Sequence, residues 1–314
     1  MGLERKLRLD ETIIAGILFF CGFVSIFTTI GIVVTLGSQA VRLFTVEQCV
    51  QAGGFGQGEV CENVTLVEFF TTTEWQPGQL KLGVLPLVLS TLITSFTAML
   101  VAVPFGLGAA IFLSEYANPR IRRILKPILE VLAGIPTVVY GFFALTFMTP
   151  ILREVFGNNT VSVFNMASAG LVMGVMILPL VASMSEDALG AVPRSLREGA
   201  AGLGATKLET TVSVVLPAAL SGIIAALIIA ISRAVGETMI VAIAAGAGPQ
   251  FTIIPFDFAE TMTGHIARIS GGDISYNSVD YNSLYAIGFL LFFMTLTLNI
   301  IGRLLVRAFR EVYE

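Results

Sequence analysis

Six uncharged apolar runs constrain this chain more than any other feature of its sequence. They cover Ile13–Leu36, Leu82–Leu113, Val131–Leu152, Phe164–Ser185, Val212–Ser232 and Tyr281–Gly302. Each run is longer than the roughly 18 residues that a membrane-spanning helix needs. In lipid, only helices and closed barrels satisfy every backbone hydrogen bond, and continuous apolar runs favour helices. The sequence therefore predicts an all-α polytopic membrane protein with about six transmembrane helices.

The charges outside these runs predict how the chain is oriented. Only 13% of the residues are charged and 55% are hydrophobic, which excludes an ordinary soluble domain. Basic residues cluster on one side of the membrane, at 5–8, 120–126, 194–207 and 303–310. The opposite side carries Arg42, Lys81, Arg153 and Arg268. Because cytoplasmic segments are enriched in Lys and Arg, both termini are expected to be cytoplasmic. The low pI, about 5.2, gives no indication of nucleic-acid binding.

Residues 1–81 are predicted to form a cytoplasmic tail, the first transmembrane helix and an outer loop, with residues 82–314 forming the remaining core. The outer loop contains Cys49 and Cys61, and two thiols in one non-cytoplasmic loop can form a disulfide. The outer segments hold more acidic than basic residues, which is typical of a solvated surface or of a docking face for a soluble partner. His265, the single histidine, is expected to be a surface residue.

No arrangement of residues in the sequence indicates an enzyme. The glycine-rich stretches lack the Gly-Lys-Ser/Thr ending of a phosphate-binding loop, and no Ser or Cys nucleophile is set beside a base. A single histidine without a ligand cluster predicts neither a metal ion nor a cofactor. If the chain takes part in energy-dependent work, another subunit must bind the nucleotide.

The stretch "SEDALGAVPRSLREGAAGLGATKLETTVSVVLPAAL", residues 185–220, is predicted to form a helix, a break and a second helix. Pro193 suits a first helical turn, and Gly202 and Gly204 permit a sharp bend. A short exposed helix at this place is either an amphipathic helix on the membrane surface or a knob for the groove of a partner.

Part of this stretch resembles the EAA loop of ABC importer permeases. The matching residues, at the motif's own spacing, are Glu198, Gly199, Ala200, Gly204, Val214, Leu216 and Pro217. Gly199 replaces the usual first Ala of the motif, and Val214 replaces Ile. The resemblance implies a type I permease fold. It also implies a cytoplasmic coupling segment, about 186–215, whose short helix, with Arg197, enters a cleft of an ATPase subunit.

Three further stretches resemble the permeases of the high-affinity phosphate importer. They are "LAGIPTVVYGFFAL" (132–145), "ILPLVASMSEDALGAVP" (177–193) and "SRAVGETMIVAIAAG" (232–246). The additional N-terminal span is similar to the PstC type. The resemblance implies a bacterial plasma membrane protein that pairs with a PstA-type permease. The other implied partners are two PstB-type ATPases, which would bind ATP and Mg, and a PstS-type phosphate-binding protein.

Arg233 and Glu237 are charged residues within the apolar stretch "ALIIAISRAVGETMIVAIAAG". Four residues apart on one helix, they would share a face. They either form an internal ion pair or line the permeation path, with Ser232 and Thr238 adding hydrogen bonds. The guanidinium of Arg233 offers phosphate a planar set of donors. Glu237 would reduce the positive potential and accept a hydrogen bond from a protonated phosphate oxygen. In a straight helix from Pro217, Arg233 would lie about 24 Å along, past the membrane midplane.

The predicted function is therefore that of a permease subunit that forms half of the path of an ATP-driven importer of inorganic phosphate. One alternative is a permease for sulfate, molybdate or phosphonate. Another is a secondary transporter driven by an ion gradient, in which Arg233 and Glu237 would relay a proton. A passive channel would not need a loop that docks an ATPase.

Overall fold

The computed structural model describes residues 9–51 and 59–308. Residues 1–8, which belong to the predicted cytoplasmic tail, and the glycine-rich stretch between the two cysteines lie outside the described residues. The helices are α1 Leu9–Thr45, α2 Leu66–Thr71, α3 Leu85–Ile111, α4 Pro119–Ala133, α5 Thr137–Phe143, α6 Thr149–Phe156, α7 Met166–Gly190, α8 Arg194–Gly202, α9 Lys207–Thr210, α10 Leu216–Ala218, α11 Leu220–Val235, α12 Met239–Ala244, α13 Met262–Ser270 and α14 Val279–Ala308. The strands are β1 Gln48–Gln51, β2 Glu59–Glu62, β3 Trp75–Gln76 and β4 Lys81–Leu82, which form two antiparallel hairpins.

The described residues confirm the prediction of an all-α core with about six spans. Five helical stretches are long and apolar enough to cross a membrane: Ile13–Thr45, Leu85–Tyr116, Thr137–Phe156, Met166–Gly190 and Val279–Ala308. A sixth span forms if Lys207–Ala218 and Leu220–Val235 are taken together. The two halves of this sixth span meet at an angle of 69°. A straight helix from Pro217 to Arg233 is therefore wrong.

The third span begins six residues later than the apolar run predicts. The run starts at Val131, which lies near the end of α4, and a break at 134–136 separates α4 from α5. Asn118 caps α4 by accepting the backbone N–H of Ile121 at 2.9 Å, and Pro119 occupies the first helical position. Pro136 disfavours helical backbone at the residue before it, which ends α4. Hydrophobicity alone could not separate the two helices.

The α3 and α7 helices pack against each other at the centre of the bundle. A Cβ atom placed on Gly170 would lie 2.9 Å from the carbonyl oxygen of Thr94, and one on Gly174 would lie 2.7 Å from that of Ala98. The two glycines are four residues apart, so they form one stripe on α7. Small residues at this spacing let membrane helices approach closely. The stripe therefore lets α3 and α7 pack closely against each other.

The outer segment, residues 46–84, shares a hydrophobic core with α13 and α14. Phe69 and Trp75 are fully buried there, with Met262 of α13 and Ile287 of α14 in the same cluster. Strand β1 pairs with β2 so that Cys49 lies opposite Cys61, and the two cysteines form a disulfide. The first span is also longer than its apolar run, because α1 continues beyond Leu36 to Thr45.

Candidate functional site

The spacing of Arg233 and Glu237 predicts a shared helix face, but the structure does not place them on one. Helix α11 ends at Val235, and α12 begins at Met239, so the chain is not helical between them. Gly236 closes α11, with its N–H directed to the carbonyl of Ser232 at 3.2 Å. A broken helix is tolerated in membrane proteins where the freed backbone groups find partners or line a cavity.

Glu237 supplies partners for the broken helix. Its carboxylate accepts the backbone N–H groups of Met239 at 3.1 Å and Ile240 at 3.3 Å, which are the first two residues of α12. Its own carbonyl accepts the hydroxyl of Thr263 in α13. The residue is 8% exposed. A carboxylate at a helix N-terminus satisfies unpaired N–H groups and opposes the positive end of the dipole. Glu237 therefore stabilises the break.

Arg233 lies in the last turn of α11 and lines a cavity of about 200 Å³. Lys126, Glu130, Ser183 and Glu186 contribute polar groups to the same wall. Within the described residues no carboxylate lies within 4 Å of its guanidinium, so Arg233 and Glu237 form no ion pair in this structure. The side chain is exposed to the cavity, where a soluble anion could reach it.

The most buried charge of this cavity is a residue that the sequence analysis did not select. Glu186 is 1% exposed, and Lys126 donates to it at 2.8 Å, with Arg122 as a second cationic partner. The hydrogen bond from Lys126 to Glu186 raises the pKa of that lysine against the opposing effect of burial. An acid directly after an apolar run, facing a basic cluster in the preceding segment, was the signal in the sequence. These bonds hold α4 against α7.

The hydroxyl groups beside the break have different environments. Ser232 Oγ is buried without a hydrogen-bond partner within the described part of the chain, and Ser232 is not among the residues that line the Arg233 cavity. Thr238 bonds locally, donating from its hydroxyl to the carbonyl of Gly236 at 3.3 Å. Of the predicted path residues, the structure places Arg233 on a cavity wall and Glu237 and Thr238 within the break.

The coupling segment exposes a short helix at one end of the bundle. Glu198, Gly199 and Leu203 are exposed, and Leu203 is 92% exposed although it is a large apolar residue. Gly204 has a φ of +87°, a conformation that L side chains rarely adopt, and it turns the chain from α8 toward α9. Thr206 and Glu209 then form a capping box that starts α9.

The side chain of Arg197 is 23% exposed and contacts its own chain, and its role in coupling to an ATPase stays a prediction. Its guanidinium contacts the carboxylate of Glu115 at 2.8 Å, and it donates to the carbonyls of Leu189 and Val192 at 2.8 and 2.6 Å. Residues 197–200 fall on different sides of α8 because successive residues of a helix are about 100° apart. Arg197 therefore faces its own chain and anchors α8.

A family model described as the inner membrane component of binding-protein-dependent transport systems matches residues 102–311. The chain belongs to this family. The probable ABC transporter permease protein YqgH of Bacillus subtilis is 33% identical over 290 residues, which are 92% of this chain and 88% of the relative. The phosphate transport system permease protein PstC of Xylella fastidiosa is 33% identical over 257 residues, 76% of this chain and 78% of the relative.

Solved structures of ABC transporters contain chains that share the fold. A chain of a bacterial alginate ABC transporter superposes with a TM-score of 0.61 at 15% identity, over 96% of this chain and 95% of that one. A chain of the inward-facing MetNI methionine transporter gives 0.54 at 23% identity, over 73% of this chain and 95% of that one. These similarities support the ABC importer permease fold.

In this binding-protein-dependent permease, Leu216 and Pro217 lie just before the bend of the sixth span. They begin α10, which has three residues, and Ala219 follows as the hinge to α11. A π-helical turn, Thr211–Val215, precedes them. The motif residues therefore mark the place where the coupling segment changes direction and becomes a transmembrane helix.

His265 is buried in this permease, so the expectation of a surface residue is wrong. It is 1% exposed, and its Nδ1 lies 3.3 Å from the carboxylate of Glu260, which Arg268 contacts at 2.6 Å. Burial raises the pKa of Glu260, but hydrogen bonds from His265 and Arg268 outweigh it and lower that pKa to about 2. The ring of Trp75 packs edge-on against His265, with centroids 5.4 Å apart. The cluster joins the outer segment to α13.

Proposed function

We propose that this chain is the permease subunit of an ATP-driven importer of inorganic phosphate and forms half of its translocation path. The observation that carries the proposal is the guanidinium of Arg233, which lines a cavity between α4, α7 and α11 without a carboxylate partner in the described residues. Relatives between 30% and 33% identical over most of the chain are named phosphate transport permeases. Both lines of support are independent.

The chemistry of Arg233 suits a phosphate ion. A guanidinium presents parallel N–H donors that match two phosphate oxygens, and it stays charged at every physiological pH. Conduction also requires release, which a single unopposed cation would slow. Glu130 and Glu186 on the same wall lower the positive potential that a bound anion would meet.

Glu237 has a different role in this proposal from the one that the sequence suggested. Its carboxylate accepts two backbone N–H groups of α12, so we assign it to positioning the break and not to accepting a hydrogen bond from a protonated phosphate oxygen. The break in turn presents Arg233 at the end of α11. A proton relay between Arg233 and Glu237, as in a secondary transporter, would need the two side chains to face each other.

ATP hydrolysis is assigned to partner subunits. We place the PstB-type ATPases, with their ATP and Mg, against the exposed face of α8, where Leu203 would enter an apolar cleft. A PstA-type permease would complete the path, and a PstS-type protein would deliver phosphate to the outer segment. This arrangement puts both termini of the chain in the cytoplasm of a bacterium. The chain itself needs no cofactor.

Motion of the ATPases would reach the path through the contacts of α8. Arg197 connects α8 to Glu115 in the π-helical turn Phe112–Tyr116 that follows α3, and Lys207 lies 4.8 Å above the ring of Tyr116 in the same turn. Because α3 packs along α7, which forms a wall of the Arg233 cavity, displacement of α8 would move that wall. A passive channel would have no use for this linkage.

The experiment is transport by the complete complex in proteoliposomes. Complexes with ATP enclosed are supplied with the phosphate-binding protein and radiolabelled phosphate, sulfate or molybdate outside. Phosphate uptake that needs ATP, with phosphate-stimulated hydrolysis and no response to sulfate, is expected. Uptake driven by a proton gradient without ATP would refute the proposal. Stimulation of ATP hydrolysis by sulfate or molybdate would show that the substrate is that anion and not phosphate.

A further inference from the structure

A groove between α11 and α14 carries two arginines at its mouth. Its volume is about 390 Å³, and its walls include Ile228, Ile229, Asn299, Arg303, Val306 and Arg307. The groove shares no lining residue with the cavity that Arg233 lines, so it is separate from the proposed path. No feature of phosphate transport explains it.

The groove exists because α11 and α14 touch at a glycine. A Cβ atom on Gly302 would lie 2.5 Å from Cγ2 of Ile228, so no larger residue fits at this crossing. Arg303 and Arg307 are four residues apart on α14, and they project from the same side of that helix. The apolar side chains of Ile229 and Val306 continue the wall beside them.

The two arginines have no counter-ion within the part of the chain that the structure describes. Neither guanidinium has a carboxylate within 4 Å or a hydrogen bond to another side chain in residues 9–51 and 59–308. Both side chains are exposed. Like charges at this helical spacing repel each other, so a site with two cations favours an anion from outside the chain.

We propose that the groove binds one phospholipid with an anionic headgroup. Its phosphodiester would lie between Arg303 and Arg307, which offer bidentate donors, and one acyl chain would lie along Ile229 and Ile228. The arginines follow the last apolar stretch of α14, where the headgroup layer meets the hydrocarbon core. Basic pockets between transmembrane helices are suited to such lipids. A free phosphate ion would leave the apolar wall without an occupant.

The test is native mass spectrometry of the detergent-solubilised complex during titration with phosphatidylglycerol. Phosphatidylcholine with the same acyl chains is the neutral comparison. We expect saturable binding of one phosphatidylglycerol, and an affinity at least about tenfold lower in the double variant Arg303→Gln, Arg307→Gln. Arg123→Gln removes an exposed arginine from α4, away from the groove, and should leave the affinity unchanged.

A second variant separates the lipid from a free anion. Ile229→Ser should weaken binding of phosphatidylglycerol severalfold while the arginines remain. Equal binding of the two lipids, or equal affinity of the double variant and the unchanged protein, would overturn the proposal. So would displacement of the lipid by inorganic phosphate, which would assign the arginines to a free anion. If Arg303 and Arg307 are covered by the partner permease in the complex, no saturable lipid binding will appear and the proposal fails.

Discussion

The guanidinium of Arg197 in α8 lies 2.8 Å from a carboxylate oxygen of Glu115, at the end of the span that begins with α3. This ion pair is part-buried, and Arg197 also donates to the carbonyls of Leu189 in the last turn of α7 and of Val192 just beyond it. One side chain thus joins the exposed coupling helix to two transmembrane helices. Mechanical coupling between an ATPase and the path would depend on this joint.

Arg197→Gln should uncouple ATP hydrolysis from transport. The variant keeps a hydrogen-bonding side chain but leaves Glu115 without its cation, which we expect to cost about 1.5–3 kcal/mol in unfolding of the local contact. Uptake and ATP hydrolysis by the reconstituted complex are measured together, and uptake should fall by more than tenfold while basal hydrolysis persists. Arg123→Gln, at an exposed arginine of α4 away from α8, loses the same charge and is the matched control. Uptake in Arg197→Gln equal to that of the control would contradict this role.

Two glycines of α8 and its end should respond in opposite ways to alanine. Gly204→Ala places a side chain on backbone with a φ of +87° and should lower the stability of the turn by about 1–2 kcal/mol. Gly199→Ala lies inside a helix with open space around it and should raise helix stability by about 1 kcal/mol. Copurification of the ATPase should therefore decrease in the first variant and be retained in the second. Equal copurification would show that the turn does not position the coupling helix.

Arg233→Gln should abolish phosphate uptake while the complex assembles and retains basal ATP hydrolysis, because the cation of the cavity is lost. Arg233→Lys should recover little activity, since a point charge does not replace a planar fork. Glu237→Gln keeps an oxygen that can accept the N–H groups of α12, so it should assemble normally with a milder loss of uptake. These variants are measured in proteoliposomes at equal complex yield.

The double variant Arg233→Gln, Glu237→Gln separates a transport role from an ion pair that forms in another state of the cycle. A purely structural pair predicts reduced assembly in each single variant and recovery of assembly and uptake in the double variant. The geometry described here predicts an assembled, inactive complex. Uptake near that of the unchanged protein would exclude Arg233 from the path.

The Cys49–Cys61 disulfide should stabilise the outer segment by about 2–3 kcal/mol, because it closes a short loop. Mass spectrometry of the exported protein without reduction should show both cysteines blocked to alkylation. Cys49→Ser with Cys61→Ser should increase proteolysis of the outer segment without preventing membrane insertion. Two freely alkylated thiols would contradict the bond.

Acid should loosen the contact between the outer segment and α13. Glu260 has its pKa lowered to about 2 in the folded protein, compared with 4.5 in an unperturbed glutamate. A lowered folded-state pKa stabilises the fold above about pH 4.5, and this contribution is lost as the pH falls from 4.5 toward 2. Trp75 is the single tryptophan and packs on His265, so its emission reports the change. A transition in this window should occur in the unchanged protein and be absent from Glu260→Gln.

Much of this fold is determined by the sequence alone, because a spanning helix needs only a long apolar run and satisfies its own backbone. The runs from Leu82 and Phe164 therefore located the spans formed by α3 and α7 without knowledge of their neighbours. The EAA spacing located the exposed helix and the turn at Gly204 for a similar reason, since each depends on local backbone conformation. The glycine stripe of α7 needed the structure to show which helix it approaches.

Only the tertiary structure decided where the helices break and which way their charged residues face. Arg233 and Glu237 are four residues apart in the sequence, but the helix breaks after Val235. Arg233 therefore lines a cavity, whereas Glu237 bonds to the start of α12. The stability of this break depends on a hydrogen bond from the hydroxyl of Thr263 in α13, which is distant in the sequence, to the carbonyl of Glu237. Likewise, Arg197 faces the rest of its own chain because its guanidinium pairs with the carboxylate of Glu115. Helical periodicity assumes a continuous helix, and only partners from elsewhere in the chain can make an interruption stable.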